Sequence, residues 1–212
     1  MIAMAVHHPV FARCYAALSR AVEQRGMDAH RRELLAGATG TVVEVGAGNG
    51  LNFAHYPREV AGVVAVEPEP RLRQMAREAA SRAPVPVEVV DGVAEQLPIA
   101  DGSADTVVVS LVLCSVPDQR AALREIGRVL RPGGKFHFME HVRADTPGLA
   151  RVQRVLDATV WPRLAGGCHT GRDTGAVIRE QGFRFERFES FFFPPRKLPV
   201  SRHIRGVAVL DR

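Results

Sequence analysis

The stretch VVEVGAGNG, Val42 to Gly50, constrains this chain more than any other. Val42, Val43 and Val45 are β-branched and suit a buried, pleated strand. Gly46, Gly48 and Gly50 follow at once. Glycine lets a backbone turn tightly and approach a ligand where a Cβ would collide. A strand running straight into such a turn is how nucleotide-binding α/β units begin. The dinucleotide fingerprint is G-x-G-x-x-G, whose third glycine packs the helix against the strand. Here the pattern is G-x-G-x-G, with Leu51 where that glycine would stand.

Beyond the turn, apolar runs alternate with helical patterns. Strands are expected at Thr41–Val45, Gly62–Val66, Val85–Val90, Ala104–Ser110 and Lys135–Val142. Helices are expected at about 51–56, 69–81 and 119–130. In the last, Leu123, Ile126, Val129 and Leu130 share one face, and RPGG (131–134) stops it. Such alternation implies a parallel sheet covered by helices on both faces. After Val142 the rhythm changes. Helices are expected near 149–163 and 173–181, with the loop GGCHTGRDT between them, then strands at 183–193 and 203–210 about PPRKLPV. Nothing resembles an interdomain linker, so one domain is expected.

The chain of 212 residues carries a net charge of +5. Its basic residues are spread along the whole length, and all but Lys135 and Lys197 are arginines. That distribution reads as a solvated basic surface, and no nucleic-acid partner is expected. Cys14, Cys114 and Cys168 show no C-x-x-C spacing, which fits a reducing compartment and a cytoplasmic location. The opening residues are apolar only as far as Val6, too short for a signal peptide core or a membrane span. Residues 10–22 place Val10, Phe11, Cys14, Tyr15, Leu18 and Val22 at helical spacing. They read as an amphipathic helix over the domain, with peripheral membrane contact as the lesser use.

Two acids sharpen the reading of the turn. Glu44 sits inside the strand where an apolar residue is expected, and can orient the loop or receive a cationic amino group. Glu67, in VVAVEPEP, lies about twenty residues on, where an acid accepts hydrogen bonds from ribose hydroxyls.

In order and spacing, VVEVGAGNG, VAVEPEP, VAEQLP, DTVVVSLVLCSV and LREIGRVLRPGGKFHFMEHV resemble the successive motifs of class I S-adenosylmethionine-dependent methyltransferases. The resemblance implies a Rossmann-like domain with a mostly parallel seven-stranded sheet, helices on both faces and an antiparallel C-terminal strand. Residues 1–38 would form a helical cap, 40–142 the cofactor core, 143–182 the lid helices and 183–212 a C-terminal strand pair. It also implies S-adenosylmethionine as cofactor, held at Glu44, Gly46, Ala47, Gly48, Asn49 and Gly50, at Glu67 and Pro68, at Val93 and Ala94, and at Ser110, Leu111 and Cys114. Many relatives carry an acid just before the alanine of AEQLP to meet the adenine amino group. This sequence has Val93, so Asp91 or backbone carbonyls must serve.

LVLCSV, MEHV, QRVLDATVW, GCHTGRDT and LPVSRHIRGVAV are similar to the methyltransferase-like protein 7 family of small-molecule thiol S-methyltransferases. That similarity implies a thiol acceptor; oxygen or carbon acceptors, including quinones, are the alternative. An RNA methyltransferase is disfavoured by the lack of an Asn-Pro-Pro-Tyr type motif, and a non-catalytic cofactor-binding protein by the intact turn and Glu67. His141 and Asp157 are the candidate proton acceptors, each with a structural role as its rival reading. Cys114 reads as small packing. Cys168 and His169 lack further ligands at metal spacing, so no metal is expected. FESFFFPP is either an acceptor wall or the core face of an edge strand.

Overall fold

The computed structural model describes Tyr15, Ser19 and residues 21–193 and 198–211. Most of the helix expected over 10–22, Cys14 included, and most of PPRKLPV lie outside these residues. The strands are β1 (Gly40–Val45), β2 (Val60–Val66), β3 (Val87–Val90), β4 (Ala104–Ser110), β5 (Leu130–His141), β6 (Phe183–Phe192) and β7 (Arg202–Leu210). The helices are α1 (Asp28–Leu35), α2 (Pro70–Ala80), α3 (Gln119–Val129), α4 (Pro147–Asp157), α5 (Trp161–Leu164) and α6 (Thr174–Glu180). Among the described residues the strands form one seven-stranded sheet in the order β3-β2-β1-β4-β5-β7-β6. The first five are parallel; β7 runs antiparallel to both β5 and β6. The expected α/β sheet is therefore present, and β7 is the one reversed strand, as expected of the C-terminal strand.

Side-chain alternation divides the central strands between two cores. Val43, Val45, Val107, Val109 and Phe138 pack with Leu123 and Ile126 of α3 and Ile178 of α6. Val42, Val108 and Met139 face the other way, onto Leu34 and Leu35 of α1 and Ala76 of α2. Both faces of the sheet are covered, so its central strands read as near-continuous apolar runs. The helices start where their caps dictate. Asp118 accepts from the N–H groups of Arg120 and Ala121 ahead of α3. Glu69 accepts from Leu72 N ahead of α2, with Pro70 in the first turn, where its missing N–H costs nothing.

Several boundaries differ from expectation. Residues 51–56 form only a 3₁₀ turn, Phe53–His55, because Glu44 draws Asn52 and Tyr56 onto the sheet instead of letting a helix propagate. The single helix expected at 149–163 is two, broken at residues 158–160 before the proline-bearing α5. Leu130 already pairs with Ala104, and the ladder resumes at Lys135 opposite Thr106, so RPGG is an irregularity within β5. Phe188, Phe191 and Phe192 of FESFFF belong to edge strand β6, and Phe193 follows it. Phe191, on β6, stacks with His30 and His203; it lies at the carboxyl end of the sheet but four strands across from β1 and its glycine turn. No helix among the described residues is long and apolar enough to cross a membrane.

Gly206 fixes how β7 enters the sheet. A Cβ there would fall inside contact distance of the Arg187 carbonyl on β6 and 2.6 Å from the Phe138 ring. The β6 register shift between Phe185 and Arg187 lies opposite this point. Gly206→Ala is expected to lower stability by about 1–3 kcal/mol, the scale of overpacking. Urea unfolding checks it: the midpoint should fall at unchanged slope, whereas an unchanged midpoint would mean that the strand pair shifts freely.

Candidate functional site

A cavity opens at the carboxyl ends of β1, β2 and β4, the crevice where open α/β sheets bind ligands. Its walls include Val45, Gly46 and Gly48 from the first turn, Glu67, Pro68, Glu69 and Leu72 after β2, and Gly92 to Glu95 after β3. Leu111, Val112, Ser115, Val116 and Pro117 close the β4 side, while Tyr15 and Gly166 reach in from outside the sheet.

The glycine turn has its shape for identifiable reasons. Gly46, at φ +70°, would place a Cβ 2.5 Å from the Val112 side chain. Gly48, at φ +58°, directs its N–H to Glu67 Oε2 at 2.8 Å. Glu67 Oε1 accepts from Glu69 N at 2.9 Å, so this buried carboxylate ties the β1 turn to the start of α2. Burial raises its pKa, and the two N–H donors work against that rise.

Glu44 lies behind the turn. Its Oε1 accepts from Asn52 Nδ2 at 2.9 Å and its Oε2 from the Tyr56 hydroxyl at 2.6 Å. Arg31 completes this layer, donating from Nη1 to Asn52 Oδ1 and Ser110 Oγ and pairing through Nε with Glu23. Of the two uses expected for Glu44, the contacts present are those that orient the loop.

The β4 wall is held by Glu140. Its Oε1 accepts from the N–H groups of Val112 and Leu113, each at 2.9 Å, and its Oε2 from Cys114 N at 3.2 Å. Leu111 has φ +60°, a left-handed conformation that is rare for a branched residue and persists only when its surroundings enforce it. The carboxylate on one side and Met139 O, which accepts from Leu111 N at 2.7 Å, supply that enforcement.

Sequence-expected residues therefore divide. Gly46, Gly48, Glu67, Pro68, Val93, Ala94 and Leu111 line the cavity. Ala47, Asn49 and Gly50 lie behind it: Asn49 donates to Ser19 Oγ, and Gly50 packs against Phe53 and Ala79. Ser110 holds Arg31, and Cys114 is buried beneath the β4 wall. Asp91 pairs with Arg73 and does not line the cavity. His141 is buried with Nε2 2.9 Å from Cys168 Sγ. Asp157 accepts from Thr170 N and Oγ1 and from Gly171 N, clamping the loop after α5. Neither of these two lines the cavity. Sequence reasoning missed Arg31, Tyr15, Ser115, Gly166 and Glu140. Glu140 alone had a signal, an acid at the end of an apolar strand, one residue before the histidine that drew notice.

Glu44 gives this layer a pH dependence. Burial pushes its pKa up to about 7 from an ordinary 4.5, against the opposing hydrogen bonds from Tyr56 and Asn52. The folded chain then holds a proton that the unfolded chain releases above about 4.5. Stability from this group is full below that value and is lost as pH rises through 7. The loss reaches about 3 kcal/mol at most. Measured by urea unfolding from pH 5 to 8, the protein should lose stability more steeply than Glu44→Gln, which cannot titrate. Parallel curves would place the titration elsewhere.

Comparison with known proteins agrees with this architecture. The methyltransferase domain family matches residues 43–138. The chain is 37% identical over 206 residues to mouse (Mus musculus) thiol S-methyltransferase TMT1B, covering 92% of this chain and 84% of that protein. It is 36% identical over 195 residues to human (Homo sapiens) thiol S-methyltransferase TMT1A, covering 86% and 79%. Among solved structures, an S-adenosylmethionine-dependent methyltransferase from Mesorhizobium loti superposes with a TM-score of 0.62 at 19% identity, covering 84% of this chain and 95% of that one. With the sheet order, the glycine turn and these matches together, the chain belongs to the methyltransferase family that includes TMT1A and TMT1B.

Proposed function

We propose that the protein transfers a methyl group from S-adenosylmethionine to the sulfur of a small-molecule thiol. Glu67 carries the cofactor half of this reading. It is 5% exposed, stands on the cavity wall, and spends one lone pair of each oxygen on Gly48 N and Glu69 N. A carboxylate oxygen accepts more than one hydrogen bond, so both retain capacity for the two hydroxyls of a ribose. The same acid argues against a pyrophosphate. The Gly48 N–H that would cradle a phosphate is already taken, and Glu69 and Glu95 add further carboxylates to the wall. A cationic sulfonium suits such a lining.

The residues fit the donor as follows. Glu67 would hold the ribose, Gly46 and Gly48 the methionine side, and the backbone of residues 92–95 the adenine edge. The donor brings its own activation, a positive sulfur that leaves as a neutral thioether. The chain's part is to align an incoming nucleophile with the methyl group, an effect worth roughly 7–11 kcal/mol in well-oriented systems. Leu111, Val112, Val116 and Pro117 form the apolar side of the cavity and would receive the acceptor. Tyr15 also lines the cavity, and burial raises its pKa, so its hydroxyl keeps its proton.

The thiol acceptor rests on the two relatives named above, each matched over more than three quarters of its own length. It also agrees with the chemistry. A thiol near pKa 8.5 is a few per cent thiolate at neutral pH and strongly nucleophilic, so alignment alone goes far. His141 and Asp157 contact the loop around residues 168–171 rather than the cavity, and we assign neither to proton transfer. Residues 143–182 serve as the lid, with Gly166 its point of contact with the cavity.

Two measurements test the reading. Glu67→Ala should weaken S-adenosylmethionine binding by about 1.5–3 kcal/mol, the range for hydrogen bonds to a charged group, as read by calorimetry. Unchanged affinity would remove Glu67 from the site. A screen with labelled donor should show methyl transfer to small thiols ahead of phenols, quinols and RNA. Faster incorporation into any of those three would reassign the acceptor.

A further inference from the structure

We propose that Cys114, His141 and Cys168 bind one soft divalent cation of the zinc class, leaving a fourth position for the sulfur of the acceptor. The binding site itself stands on geometry alone; the role of the fourth position rests on the thiol reading above. One potential ligand atom from each of the three side chains lies within 4.8 Å of the others, and all three residues are buried. Two thiolates and an imidazole are a common zinc donor set, and three protein ligands mark sites that keep an exchangeable position. Soft sulfur donors also select against magnesium and calcium.

The surroundings are those of a ligand cluster. Trp161 Nε1, which can only donate, points at Cys168 Sγ from 3.3 Å. Such donors outside the ligand shell stabilise a coordinated thiolate. His141 is 93% buried, yet its Nδ1 has no hydrogen-bond partner among the described residues. The backbone bond from His169 N to Cys114 O, 2.8 Å, holds the Cys168 loop against the β4 loop. Cys114 Sγ lies 3.5 Å from Ser115 Oγ, and Ser115 lines the cavity, so one side chain separates the cluster from the cavity.

The chemistry balances. Binding the cation releases the thiol protons of Cys114 and Cys168 to solvent, while neutral His141 contributes a nitrogen lone pair. An acceptor thiol taking the fourth position loses its proton in the same way. Its sulfur lone pair then forms the new S–C bond as the sulfonium S–C bond breaks, and the displaced pair remains on the donor as a neutral thioether. The methylated product, itself a thioether, is the weaker ligand and departs.

Cobalt(II), a spectroscopic stand-in for zinc, tests the site in the full-length reduced protein. One cobalt per chain is expected, with tetrahedral visible bands and a thiolate charge-transfer band. That band should fall by about half in Cys168→Ser, since one of two thiolates is lost, and vanish in the double Cys114→Ser/Cys168→Ser variant. Circular dichroism and S-adenosylmethionine calorimetry check that the variants fold. Should they not fold, X-ray absorption of the zinc-loaded unmodified protein must show two sulfurs and an imidazole. Failure to take up cobalt, or a band indifferent to both substitutions, overturns the site. Adding a small thiol should strengthen the band by about half, and an unchanged spectrum overturns the open position. Thiol methylation is read separately at pH 7 on stripped and zinc-loaded protein. Stripping should slow it on the order of 10–30-fold, the factor by which a thiol of pKa 8.5 is under-ionised. Full activity after stripping overturns the activating role and leaves the thiol methyltransferase reading standing. No thiol methylation in either form overturns that reading and leaves the cobalt result intact.

Discussion

The carboxylate of Glu140 is the contact on which the rest of the site depends. It stands at the end of β5, fully buried, and gathers the N–H groups of Val112, Leu113 and Cys114. Without an acceptor these three donors would be buried and unpaired, each at a cost of about 1–3 kcal/mol. With it, the chain leaving β4 can pass through the left-handed conformation of Leu111 and turn back beneath the cavity. Burial raises the pKa of Glu140, and the donors from Val112 and Leu113, with His141 nearby, oppose that rise. One side chain thereby shapes two places at once. Val112 and Ser115 form the cavity wall, and Cys114, in the same turn, faces His141 and Cys168.

A second carboxylate does for the β1 and β2 side of the cavity what Glu140 does for the β4 side. Glu67 joins the β1 turn to the start of α2, as Glu140 joins β5 to the β4 loop. Both sit at carboxyl ends of parallel strands, where loops must be held in shapes that their own sequences do not impose. Glu44 supports the first of these from below, through Asn52 and Tyr56. Three buried acids, each met by donors from the chain, therefore set the geometry, and Gly166, after α5, adds to the wall from outside the sheet.

How much of this was legible in the sequence follows from range. The glycine turn and Glu67 announce themselves because a strand, a tight turn and an acid at fixed spacing are local pattern. The alternation of strands and helices gave the α/β sheet for the same reason, and the faces of α3 were readable from Leu123, Ile126 and Val129. Residues 51–56 misled because their helical spacing is overridden by Glu44, whose pull on Tyr56 is a tertiary contact. His141 is legible as a histidine at a strand end, but its partners are not. Cys168 stands 27 positions away, and nothing in GGCHTGRDT says that the loop folds back beneath β5. Asp157 reads in the sequence as a candidate proton acceptor, whereas its donors Thr170 and Gly171 lie on a loop beyond the next helix.

The central claim is that the crevice above β1, β2 and β4 holds S-adenosylmethionine through Glu67, with its methyl side toward Leu111 and Val112. A crystal structure of the protein with S-adenosylhomocysteine, the product of methyl transfer, tests it most directly. The account predicts both ribose hydroxyls at hydrogen-bond distance from the Glu67 carboxylate, about 2.5–3.0 Å, and the sulfur beside the β4 loop. A nucleoside bound elsewhere, or one whose ribose leaves Glu67 bonded only to Gly48 and Glu69, would contradict it.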